Sequence, residues 1–163
     1  MSKPRVLAFL WIFIFFLLQN GLQFVLPDRA PLLLLIGVVF YGLSEGPLFG
    51  LLLGLYAGFF MDIFGVGKLG LQMAFFGSLG VLSGYAKSKV FSESLLTAIL
   101  FPALAYYLLL CLNFITTRIF FEGGAEAPAV FREALSIQAL ILMAILSPFI
   151  FSFLHRFTFG KRS

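Results

Sequence analysis

Charge is what this sequence has least of. Only 11% of its 163 residues are Asp, Glu, Lys or Arg, 61% are apolar, and the mean hydropathy is +1.08. Soluble domains carry about 25% charged and roughly 45–50% apolar residues, so water is excluded as the solvent for most of the chain. Cysteine is nearly absent too. Cys111 stands alone between Leu110 and Leu112, which excludes an internal disulfide and a thiolate metal cluster and leaves a small core-filling side chain. The single histidine, His155, sits beside Arg156 near the end of an apolar run, the pattern of an interfacial side chain rather than of a general base. Neither an H-E-x-x-H zinc pair nor a G-x-x-x-x-G-K phosphate loop is present. An intramembrane serine hydrolase would lack its base and a metalloprotease its paired ligands. The chain is therefore expected to be no enzyme and to hold no cofactor or metal.

What is abundant is continuous apolar sequence, including 23 phenylalanines. Membrane-spanning β-barrels alternate apolar and polar residues. The unbroken runs here predict an all-α polytopic membrane protein, one domain over residues 1–163. Six helices are expected, at about residues 6–26, 31–43, 47–61, 69–86, 95–115 and 135–154. The first follows Lys3 and Arg5 and is too long for a cleaved signal core, so it reads as a retained span. The second and third, at 13 and 15 residues, would reach only about 20–22 Å, so the bilayer thins there or protein covers their ends. Fusing them would place Pro47 in a helix interior and Glu45 in mid-membrane, both costly. A hairpin at Ser44-Glu45-Gly46 is the better reading.

The net charge of +4 is not a nucleic-acid signature, because the basic residues mark segment ends rather than a stripe. With six spans and a cytoplasmic N-terminus, the inner side receives Lys3, Arg5, Lys87, Lys89, Arg156, Lys161 and Arg162. The outer side receives Arg29, Lys68, Arg118 and Arg132. That excess of inner positive charge predicts both termini in the cytoplasm. The longest loop, Glu122–Arg132, is too short for a soluble domain, so function is expected within or at the faces of the bilayer.

Polar residues inside the spans gather towards the outer half: Gln19, Asn20 and Gln23 in the first helix, Gln72 in the fourth, Asn113, Thr116 and Thr117 in the fifth, and Gln138 in the sixth. They would either line a shared polar pocket or hydrogen-bond between helices, and no ionisable group at mid-depth points to proton coupling.

The third span carries Gly46, Gly50, Gly54 and Gly58, one glycine every four residues. Positions four apart drift by about 40° around a helix, so these form one winding groove of the kind that lets membrane helices approach closely. A partner groove lies in the fourth span: Gly70, Gly77 and Gly84 recur every seven residues, with Ala74 between and Gly80 nearby. The groove therefore holds either the fourth helix or a helix from another protein. Asp62 closes the third span, where the helix dipole disfavours a negative charge. It requires a compensating partner, either Lys68 or backbone N–H groups at the start of the fourth helix, as a clasp on the hairpin.

The stretch "GPLFGLLLGLYAGFFMDIFGVGKLG" resembles the signature region of the MreD family of bacterial rod shape-determining membrane proteins. Gly50, Gly54, Gly58, Asp62 and Gly70 fall on that family's G-x-x-x-G-x-x-x-G-x-x-x-D…G pattern. The resemblance implies a non-enzymatic scaffold of the cell-elongation complex, supporting cell shape and lateral peptidoglycan synthesis. It implies association with MreC, a single-span protein with a large outer domain. Through MreC it implies links to the MreB cytoskeleton, the RodA glycosyltransferase and a class B penicillin-binding transpeptidase. It also implies a fold like the six-helix substrate-binding (S) subunits of energy-coupling-factor vitamin transporters, which makes vitamin binding the rival function.

Overall fold

The structure, a computed structural model, describes residues 3–25, 33–64, 70–87, 95–120 and 137–159, and among these every regular element is helical. The helices are α1 (Lys3–Val25), α2 (Leu33–Glu45), α3 (Pro47–Phe64), α4 (Leu71–Ala86), α5 (Leu95–Phe120) and α6 (Ile137–Phe159). Their described ends lie within a few residues of those the apolar runs suggest. α1 begins at Lys3, and α3 runs on through Asp62 to Phe64. Among the described residues, three segments are long and apolar enough to cross a bilayer: Arg5–Val25, Pro47–Phe64 and Ile141–Thr158, with mean hydropathies of 1.9, 1.7 and 1.6. This is a membrane protein by composition and by helix length.

α2 is the axis of the molecule. It touches each of the other helices, which close around it in the order α1, α3, α4, α5, α6 and back to α1. Every residue from Leu33 to Leu43 is buried, as expected of a helix apolar on all sides. Its 13 residues span only about 20 Å, against a hydrocarbon core of about 30 Å. The short length is accommodated because its neighbours are protein.

Side-chain size sorts α3 into faces. Phe49, Tyr56 and Phe60 meet Phe9, Phe13 and Phe16 of α1 through aromatic contacts, among them Phe9–Tyr56 at 5.1 Å and Phe16–Phe60 at 5.1 Å between ring centroids. Gly50, Gly54 and Gly58 face α4. Leu48, Leu52, Phe59 and Ile63 face outward. The other aromatic seams join α1 to α6, where Trp11 meets Phe153 and Phe157, and α2 to α6, where Phe40 meets Phe151 edge-on at 5.0 Å. Edge-to-face rings add about 0.5–1.5 kcal/mol per pair beyond area burial.

The break between α2 and α3 is made by one residue. Gly46 has φ +108°, a conformation that side chains with a Cβ rarely adopt. Its N–H donates to the Gly42 carbonyl at 2.9 Å, and its carbonyl accepts from the Gly50 N–H at 2.9 Å. Pro47 follows at the first position of α3, where its missing N–H costs nothing. The chain thus turns between helices with no loop. Contacts between helix ends make the first four helices alternate in direction: Arg5 with Glu45, Gln19 with Leu34, Asp62 with Gly70, and Gly84 with Pro47.

The α3–α4 seam is the tightest in the molecule. A Cβ on Gly54 would overlap the Phe76 carbonyl and lie 2.9 Å from Gly77 Cα; on Gly58 it would lie 2.5 Å from the Gln72 carbonyl oxygen; on Gly80 it would overlap the Gly50 carbonyl. A Cβ on Gly77 would meet only the ends of Leu55 and Leu51, at 3.1 and 3.4 Å. Gly54→Ala and Gly80→Ala are each expected to cost about 1–3 kcal/mol by forcing backbones apart, and Gly77→Ala less than about 1 kcal/mol because leucine ends move. Thermal unfolding of the three variants in detergent checks the order.

Candidate functional site: the helix seam and its clasp

The glycine groove of α3 is filled from within the chain. Along α4 it meets Met73, Phe76, Gly77 and Gly80, and past its end Gly84 packs beneath the Gly46–Pro47 turn, with a Gly84 Cβ 2.6 Å from the Gly46 carbonyl carbon. Of the heptad glycines Gly77 and Gly84 therefore meet α3 or its first turn and Gly70 does not, and Met73, Phe76 and Gly80 complete the contact face. Ala74 is exposed, and Gly70 stands outside the seam as the residue before α4, with φ +97° and open space around it. Gly46 likewise has open space, so its role is conformational.

Two seam glycines lie outside the ladder that the sequence reading singled out. Gly42 of α2, Gly50 of α3 and Gly80 of α4 meet at one node: a Cβ on Gly50 would lie 2.8 Å from the Gly80 carbonyl carbon and 3.0 Å from Gly42 Cα. One on Gly42 would lie 2.9 Å from the Gly80 carbonyl oxygen and overlap Ser83 Oγ. Ser83 meanwhile donates back to that same Gly80 carbonyl at 3.0 Å. The signal for Gly42 is in the sequence, because the spacing of four runs back from Gly46 to Gly42. Gly80 stands out only once the rotation of α4 is known.

Asp62 is buried and accepts three backbone hydrogen bonds. Oδ2 takes the N–H groups of Gly70 at 2.9 Å and Met73 at 3.0 Å, and Oδ1 takes that of Gln72 at 3.1 Å. These are donors that the start of α4 cannot satisfy internally. The acid sits unfavourably against the end of α3, but the N-terminus of α4 supplies both donors and favourable dipole. Lys68, the other partner considered, lies outside the described residues.

Gln19 does the same for α2. It is buried, its Oε1 accepts the Leu34 N–H at 3.2 Å, and its Nε2 reaches Met61 Sδ at 3.7 Å. So α2 and α4 each begin on a side chain supplied by the preceding helix. Of the candidate pocket residues, the side chains of Gln19, Gln23 and Gln72 are described. Gln19 is committed to α2, Gln23 and Asn20 are exposed, and Asn20 bonds back to the Phe16 carbonyl at 2.8 Å. Gln72 is half-buried, with its N–H on Asp62. The side chains of Asn113, Thr116, Thr117 and Gln138 lie outside the described residues. At the opposite end, Tyr41 Oη pairs with Thr158 Oγ1 at 3.0 Å, and Arg5 Nε donates to Glu45 Oε2 at 3.1 Å.

Two stretches share the spelling of catalytic or nucleotide motifs. Gly42-Leu43-Ser44-Glu45-Gly46 spells the G-x-S-x-G of a serine nucleophile elbow, but here it forms the last turn of α2 and its kink, whereas the elbow needs a strand-to-helix turn. Gly65 to Gly70 spells G-x-G-x-x-G ahead of α4, but the donors a phosphate would use at Gly70, Gln72 and Met73 are held by Asp62. Among the described residues, no group of three or more His, Cys, Asp or Glu side chains could hold a metal ion.

Removing the Asp62 carboxylate leaves three part-buried N–H groups without partners. Asp62→Ala is expected to cost about 3 kcal/mol or more, and Asp62→Asn about half of that. The Asn oxygen can serve the Gly70 and Met73 donors, while its NH2 cannot accept from Gln72. Denaturant or thermal unfolding in micelles gives the ranking; equal losses would show that charge rather than hydrogen-bond acceptance dominates.

No protein-family model, curated protein or solved structure matches the chain, so its functional reading rests on the sequence pattern and this geometry.

Proposed function

We propose that this chain is a non-enzymatic scaffold of the MreD type in the bacterial cell-elongation complex. On this reading it spans the cytoplasmic membrane six times, with both termini inside, and supports cell shape and peptidoglycan synthesis by associating with MreC. Through MreC it joins MreB, RodA and a class B penicillin-binding transpeptidase. The observation that carries the proposal is how the signature residues are used. Gly50, Gly54, Gly58 and Asp62, four of the five residues of the resemblance, are engaged in building one fixed helix pair. Residues spent on rigidity suit a platform on which a partner assembles.

The same geometry moves the expected partner surface. A groove occupied by α4 does not admit a second helix, so an MreC-type span would dock on an outward apolar face. Vitamin binding, the function of the transporter S subunits, is the alternative that the experiment separates. The full chain, co-expressed with the MreC-type protein of the same cell and purified in mild detergent, is expected to elute as a complex with it. Elution alone, with a vitamin retained, would overturn the scaffold reading in favour of the transporter one.

A further inference from the structure

At the end of α1 where the chain enters the bundle, Arg5 is held but not used up. Its Nε donates to Glu45 Oε2 at 3.1 Å, and its guanidinium carbon lies 5.6 Å from the centre of the Phe49 ring. Among the described residues Arg5 forms no other hydrogen bond, which leaves its terminal N–H groups unpaired within that set, and its side chain is 47% exposed. Glu45, 16% exposed, keeps Oε1 unbonded within the same set. The group is thus an oriented cation with spare donors beside an anion with a spare acceptor, neutral in sum.

Beside this pair runs the seam between α1 and α3. It is aromatic, with Phe9, Tyr56 and Phe60 in edge contact, Tyr56 and Phe60 at 4.9 Å between centroids. The same two helices carry exposed apolar side chains, Val6 and Phe13 on α1 and Leu48 and Leu52 on α3. A charged pair at a helix end next to an exposed apolar surface has the polarity of one leaflet of a bilayer. An anion alone would be drawn to Arg5 but repelled by Glu45, whereas a headgroup with both charges satisfies both.

We infer that the Arg5–Glu45 pair is a binding site for a zwitterionic phospholipid with an ammonium headgroup. The phosphate sits on the terminal N–H groups of Arg5, the ammonium on Glu45, and an acyl chain lies along the exposed apolar side chains of α1 and α3. Arg is suited to this task because its planar fork donates to two phosphate oxygens while still holding Glu45. The inference needs only that the helices lie in a membrane and is independent of the rod-complex reading.

The test is native mass spectrometry of the full chain released from micelles, after exposure to an equimolar mixture of phosphatidylethanolamine and phosphatidylglycerol with matched acyl chains. Wild type is expected to retain the ethanolamine lipid several-fold over the glycerol lipid. Arg5→Gln should lose retention of both at least several-fold, and Glu45→Gln should abolish the preference while keeping binding. Leu48→Ser with Leu52→Ser changes exposed residues only and should also reduce retention. Equal or greater retention of phosphatidylglycerol by wild type would overturn the inference. So would wild-type retention in Arg5→Gln, or no retained lipid at all, the last leaving a partner helix as the occupant.

Discussion

The carboxylate of Asp62 is the interaction on which the arrangement of the first four helices depends. The first N–H groups of a helix have no acceptor in a preceding turn, and one left unpaired away from water is costly. Asp62 takes three of these at the start of α4. In doing so it fixes where α4 begins relative to α3, and so which α4 residues stand opposite each glycine of α3. A shift of one residue would rotate α4 by about 100° and bring side chains against Gly50, Gly54 and Gly58. The clasp and the glycine seam are therefore one device, in which hydrogen bonding sets the register and small residues let the backbones close.

From that pair the rest of the bundle follows. Gly42 brings α2 into the same close contact with Gly50 and Gly80, so the central helix is seated on the α3–α4 pair through backbone rather than through side chains. Its own buried N–H at Leu34, near the start of the helix, is met by Gln19, which ties α1 to α2. Around this closely packed part, α1 and α6 pack by aromatic rings, which fill wider gaps and tolerate small shifts. The proposed scaffold function matches such a division, with an unyielding centre and large outward apolar faces where lipid or a partner's helix can lie.

Much of this was legible in the sequence, and the rest was not for identifiable reasons. The apolar runs gave helices, and Gly46-Pro47 gave the break between α2 and α3, because helix-breaking chemistry is local. The awkwardness of Asp62 at the end of α3 was equally local. Which glycines of α4 meet the seam was not legible, since that depends on the rotation of one helix against another. Gly70 keeps the heptad spacing yet serves the turn, and Gly80 breaks it yet sits at the node. Gln19 read as a pocket residue because a buried amide in a membrane helix has two readings, and only the position of the Leu34 N–H decides between them.

The most direct test of the clasp is amide hydrogen exchange at Gly70, Gln72 and Met73 in the detergent-solubilised full chain. If Asp62 holds these three donors, they exchange as slowly as amides inside α4 in the wild type, and Asp62→Ala releases them selectively. Exchange of these amides at the rate of an open chain in the wild type, with the interiors of α3 and α4 still protected, would contradict the account.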